Sequence, residues 1–201
     1  MEISDRPGPV TRNRLMPAIR VSAAAACALL LASCASFRPA GMQNAPGYED
    51  PGRIELHPRR QAEKETCALT CLMTVFEYWG RHVSSEEVRR ELGEAPEGGY
   101  TLGQLRGFAG KHGFQAYIVH GDLAFLREHT GLGRPVIAVL YQNNVNHSVV
   151  VVAIERDGTI IAMDPAVGRM VQMSQADFLG RWEKLDNAAL LLAPGPASGS
   201  L

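Results

Sequence analysis

Long apolar runs are missing from this chain of 201 residues, although 46% of its residues are hydrophobic. No internal stretch is long enough to span a bilayer, which excludes a polytopic membrane protein. An excess of one charge is missing too. Lys and Arg number 20 against 21 Asp and Glu, for a formal net charge of -1. No basic cluster alternates with aromatics, so nucleic acid is not expected as a partner. Four cysteines are too few and too irregularly spaced for a disulfide scaffold. Cys67 and Cys71 form a Cys-x3-Cys half-site with no second pair and no histidine at ligand spacing, so neither metal nor cofactor is expected. Internal repeats are absent. What remains, 20% charged residues with 20 Gly and 12 Pro, is the composition of a loop-rich α+β domain and not of a disordered chain.

Residues 1–33 read as an address. Arg6, Arg12, Arg14 and Arg20 make a positive leading region, and the apolar stretch from Val21 to Leu31 is too short for a membrane-spanning helix. Small residues then precede a cysteine in Leu31-Ala32-Ser33-Cys34. This resembles the lipobox of bacterial lipoproteins, in which cleavage falls before an acylated cysteine. The resemblance implies a lipid anchor on Cys34 and a place in the bacterial envelope. Ala35, where an aspartate would favour the inner membrane, points to the outer membrane, with the domain facing the periplasm. An ordinary secretory signal with an incidental cysteine is the plainer alternative. Met16 is an alternative start to Met1, because Met16-Pro17-Ala18-Ile19-Arg20 is a compact leading region by itself. Residues 34–57, rich in Pro and Gly, read as a linker, 58–194 as the folded domain, and 195–201 as a disordered tail.

Within the domain, helical spacing comes first. Cys71, Leu72, Val75, Phe76 and Trp79 share one helical face in a segment from Cys67 to Trp79, stopped by Gly80. Ser84 with Glu87, and Thr101 with Gln104, open two further helices, and Asp122 caps a fourth. A strand ends at His120. After Pro135 the period changes. Pro135–Tyr141 and His147–Glu155 are β-branched runs, Asp157-Gly158 is a hairpin turn, and Thr159–Met163, Arg169–Met173 and Ala188–Leu192 continue the strands. A short helix from Ser174 carries Phe178 and Trp182. Helices packed on a C-terminal antiparallel sheet give an α+β fold.

The chemistry centres on Cys67. It begins the first helix, where unpaired N–H groups and the helix dipole favour a thiolate. Cys71, one turn on and inside the apolar stripe, reads as core packing. A nucleophilic thiol needs a base, and the base needs an orienter. Of six histidines, His147 stands apart, because it follows a polar loop and starts the most hydrophobic strand. Asp164 ends the partner strand across the Asp157-Gly158 hairpin, within a few residues of register with His147, and can fix the imidazole tautomer. Gln61, six residues before Cys67, can aim an amide donor at the oxyanion beside the thiolate. The plainer readings are a buried apolar cysteine, a solvent-facing edge histidine, a turn-forming Asp-Pro and a surface glutamine.

Gln61, Cys67, Cys71-Leu72, Tyr78-Trp79-Gly80, Gly133-Arg134-Pro135-Val136-Ile137, His147-Ser148-Val149-Val150-Val151, Asp164-Pro165 and Phe178-Leu179-Gly180-Arg181-Trp182 together resemble the C39 family of papain-like cysteine peptidases. The resemblance covers roughly residues 58–193. It implies a papain-like fold, cleavage of a peptide or protein substrate, and Cys67, His147, Asp164 and Gln61 as nucleophile, base, orienter and oxyanion donor. It also brings in double-glycine leaders and a peptide-export system as substrate type and partner. Thr66 and Ala68 depart from the aspartate and glycine that usually flank the family's cysteine; Thr66 is still expected to cap the helix, and the Ala68 methyl is expected to narrow the cleft. A catalytically weak papain-like peptide-binding module and a cell-wall peptide hydrolase are the alternatives. The second lacks its usual Ser-Gly after the cysteine, where Ala68-Leu69 stand.

Overall fold

The computed structural model describes residues 54–63 and 66–195. The signal segment, Cys34, the linker up to residue 53 and residues 196–201 lie outside the described residues. In chain order the elements are α1 (Cys67–Tyr78), α2 (Ser85–Leu92), α3 (Leu102–Lys111), β1 (Phe114–His120), α4 (Leu123–Gly131), β2 (Val136–Gln142), β3 (Val145–Ile154), β4 (Ile160–Asp164), β5 (Arg169–Met173), α5 (Gln175–Trp182), a 3-10 turn (Glu183–Leu185) and β6 (Ala188–Pro194). Among the described residues, no helix is long and apolar enough to cross a membrane.

Six strands form one sheet in the order β1-β6-β2-β3-β4-β5, and every pair in it is antiparallel. Helices cover both faces. One core joins α1 and α3 to Ile137, Val150, Val152, Met163, Leu190 and Leu192. The other joins Leu126 of α4 and Phe178 and Trp182 of α5 to Val136, Ala138, Leu140, Val149 and Val151. Burial on both faces explains why β2 and β3 read as unbroken apolar runs and not as alternation. Leu72, Val75 and Phe76 of α1 are fully buried, and burying each such side chain is worth ~1.5–3 kcal/mol. Phe76 stacks on Phe114 with ring centroids 4.4 Å apart.

The cap signals hold at most helix starts. Ser84 accepts from the Glu87 N–H, Asp122 from Phe125 and Ser174 from Asp177, and Thr101 with Gln104 forms a complete capping box. Two local features differ from the sequence reading. The polar stretch before His147 is a two-residue hairpin turn. Asn143 and Asn144 adopt φ of 51° and 62°, the geometry of the turn that matches strand twist, and β3 therefore starts at Val145. Between β3 and β4 the register shifts at Val151/Ala153, so Val152 is the extra residue of a bulge.

Candidate active site

The site lies where β3 outruns β4. Val150 pairs with Met163, and β4 stops at Asp164, while β3 runs on toward Val145 against β2 alone. Continuing the register sets Asp164 opposite residue 149. His147, two residues further along, is its diagonal neighbour on the same face. The two side chains meet, with His147 Nε2 2.8 Å from Asp164 Oδ1. That contact leaves Nδ1 to face α1, and the imidazole hydrogen-bonds to Cys67. The structure thus brings together Cys67, His147 and Asp164 from the start of a helix and the ends of two strands.

Cys67 and His147 are both buried. Burial pushes the Cys67 thiol up, but the hydrogen bond from His147, those from the Ser148 and Ala68 N–H groups and the nearby imidazolium charge bring it below its ordinary value. Burial pushes His147 down. Its hydrogen bonds to Asp164 and Cys67 and their negative charges outweigh this and raise it to about 9. Asp164 is also pushed up by burial, yet ends below the usual carboxylate range because it hydrogen-bonds to His147 and faces its charge. In the pH window between Cys67 and His147 these shifts favour an imidazolium between a thiolate and a carboxylate.

Thr66 does not cap α1. Its hydroxyl turns back, donating to the Glu63 carbonyl at 2.8 Å and accepting from the Glu63 N–H at 3.3 Å. No side chain occupies the helix N-terminus as a cap, and no acidic residue lies in its first turn, so its dipole is directed at the thiolate. Ala68 is buried in the α1 core. Its methyl belongs to the cluster of buried side chains around α1.

Gln61 lies in the segment ahead of α1. Its backbone N–H donates to the Pro165 carbonyl at 2.9 Å, which fastens this segment to the turn after Asp164. Its side-chain Nε2 donates to the Glu63 carbonyl at 2.8 Å. The same turn is held by Asp164 Oδ1, which accepts from the Ala166 N–H at 2.8 Å, and by the Gly168 N–H on the Asp164 carbonyl at 2.8 Å. Cys71 is fully buried, as its place in the apolar stripe suggested. Its thiol is pushed well above the ordinary value by burial and by the charges of Cys67 and Asp164. Sequence reasoning missed Ser148, whose contribution is a backbone N–H and so has no signature in residue type.

Among the described residues one group has metal-ligand proximity. Glu87, Glu91 and His112 place three ligand atoms within 4.8 Å of one another. Arg81 Nη2 stands 3.1 Å from His112 Nδ1, and His112 Nε2 is 3.1 Å from Glu91. An arginine already supplies the cation at this corner, and the His112 ring packs at a tilt against Phe108 with ring centroids 4.1 Å apart.

Helices on both faces of a six-stranded antiparallel sheet, with Cys, His and Asp meeting at the junction, define the fold of the papain-like cysteine peptidases. The sequence matches the Peptidase C39 family over residues 55–197, and the chain belongs to that family. Solved structures with the same fold include the peptidase domain of Streptococcus ComA, a bifunctional ABC transporter of a quorum-sensing pathway. It is 24% identical, with a TM-score of 0.58 over 70% of this chain and 98% of that one. A double-glycine-motif protease from an AMS/PCAT transporter, solved with its leader peptide, is 21% identical, with a TM-score of 0.54 over 71% and 94%. A C39-like peptidase from Bacillus anthracis is 16% identical, with a TM-score of 0.56 over 69% and 98%. No curated protein matches the sequence.

Proposed function

We propose that this protein is an active cysteine peptidase of the bacterial envelope, anchored through acylated Cys34 in the outer membrane and cleaving a secreted or periplasmic peptide or protein. The observation that carries the enzymatic reading is the His147 ring held between Cys67 and Asp164 Oδ1. A binding module has no use for a buried charged series, which costs desolvation without adding to a binding surface.

In this reading the Cys67 thiolate attacks the scissile carbonyl carbon. The carbonyl oxygen takes the negative charge and receives hydrogen bonds from the Cys67 backbone N–H and from the second N–H of Gln61 Nε2, whose first holds the Glu63 carbonyl. His147 gives its proton to the leaving amine, the C–N bond breaks, and a thioester remains on Cys67. Neutral His147 then takes a proton from water, the hydroxyl adds to the thioester, and the acid product leaves as the thiolate and imidazolium are restored. Asp164 keeps the ring in place and balances its charge throughout. The double-glycine protease with its bound leader peptide supports a substrate cleaved after a small-residue pair, delivered by a peptide-export system.

The test is turnover of a peptide carrying a Gly-Gly site, alongside labelling by a peptide electrophile. Cys67→Ser and His147→Ala abolish both turnover and labelling. Gln61→Ala lowers turnover by roughly 10²–10³ while leaving labelling nearly intact. Full activity in His147→Ala overturns the peptidase reading in favour of a binding module. Cys34→Ala releases the protein from the membrane fraction, and unchanged processing and attachment overturn the anchor.

A further inference from the structure

Cys71 lies one helical turn below Cys67, and the catalytic sequence gives it no part. It is fully buried, yet it is not merely apolar filling. Its Sγ lies 3.3 Å from the carbonyl oxygen of Ser148 and donates to it. The N–H of the same residue hydrogen-bonds to Cys67 Sγ. In a β-strand the N–H and C=O of one residue point to the same side. Ser148 therefore offers α1 the donor and acceptor that a neighbouring strand would otherwise take, at the point where β4 has ended. The two thiols of α1, one turn apart, take the place of that strand.

We propose that Cys71 is a positioning residue: by donating to the Ser148 carbonyl it fixes the β3 backbone so that the Ser148 N–H bears on Cys67 Sγ and His147, the preceding residue, is held in line with the nucleophile. The proposal rests on the reading of Cys67 as the nucleophile. Its logic is geometric. An S–H donor is weak by itself, but it acts on the residue adjoining the base, inside a fully buried contact where water cannot substitute for it. Alanine at position 71 removes the donor and opens space, valine removes the donor while filling space, and serine keeps a donor.

The experiment measures the pH dependence of Cys67 alkylation, then kcat and KM, in Cys71→Ala, Cys71→Val and Cys71→Ser, with folding checked by circular dichroism. The expected result is that alanine and valine both move the alkylation midpoint up and lower kcat by about three- to tenfold with KM unchanged. Serine keeps the midpoint near that of the unaltered protein. A valine variant with an unshifted midpoint and full kcat overturns the proposal and leaves Cys71 as packing. Alkylation needs no substrate, so this failure is separate from failure of the peptidase reading, which shows as turnover surviving in Cys67→Ser.

Discussion

At the scale of single residues, the site is a pair of opposed shifts. Cys67 is held below its ordinary thiol value and His147 is raised to about 9, so the thiolate–imidazolium pair is populated in the window between them. Below that window Cys67 gains a proton and both alkylation and turnover fall. Above about 9 His147 loses its proton, and the leaving amine no longer has an acid, although the thiolate remains. We therefore expect peptidase turnover to decline as pH rises through about 9, while alkylation by a small electrophile persists at that pH. A parallel loss of both on the alkaline side sinks the assignment of His147 as acid. The sequence made the four residue types visible because thiol, imidazole, carboxylate and amide are distinctive. It hid the Ser148 N–H, since backbone donors carry no residue label, and it suggested a cap at Thr66 whose hydroxyl in fact turns to Glu63.

At the scale of elements, the segment ahead of α1 and the β4–β5 turn act as one piece. Gly168 adopts φ of +66°, and a Cβ placed there would lie 2.7 Å from Arg60 Cβ and 3.1 Å from Arg60 Cα. Its lack of a side chain is what lets residues 60 and 61 lie against the turn that carries Asp164. We expect Gly168→Ala to push that segment away and to lower turnover toward the roughly 10²–10³-fold loss of an oxyanion donor, with Cys67 alkylation little changed. Additivity with Gln61→Ala, measured as a double-mutant cycle, would refute the coupling. None of this was legible beforehand, because it joins residues about a hundred positions apart. The helices were legible from their caps and their 3.6-residue period. The Asn143-Asn144 turn was not, since a polar run does not disclose that both residues take positive φ. Nor was the Val152 bulge, which depends on a partner strand.

At the scale of the whole molecule, the sheet order β1-β6-β2-β3-β4-β5 puts the final strand of the domain in its interior. β6 pairs with β1 along its whole length, from Phe114↔Pro194 to His120↔Ala188, and with β2 at Val136↔Leu191. Its Ala189, Leu190 and Leu192 are fully buried. A chain ending before Ala188 would leave β1 and β2 without their shared neighbour. We expect such a truncation to lose cooperative thermal unfolding and all Cys67 labelling, and retention of labelling would contradict this. The strand order also sets a clock. Cys67 is made early and His147 and Asp164 much later, and the sheet that carries the last two is completed only by residues 188–194. We therefore expect every incomplete chain to be inert, so that any proteolytic hazard to the cell that makes it begins only when synthesis of the domain has finished.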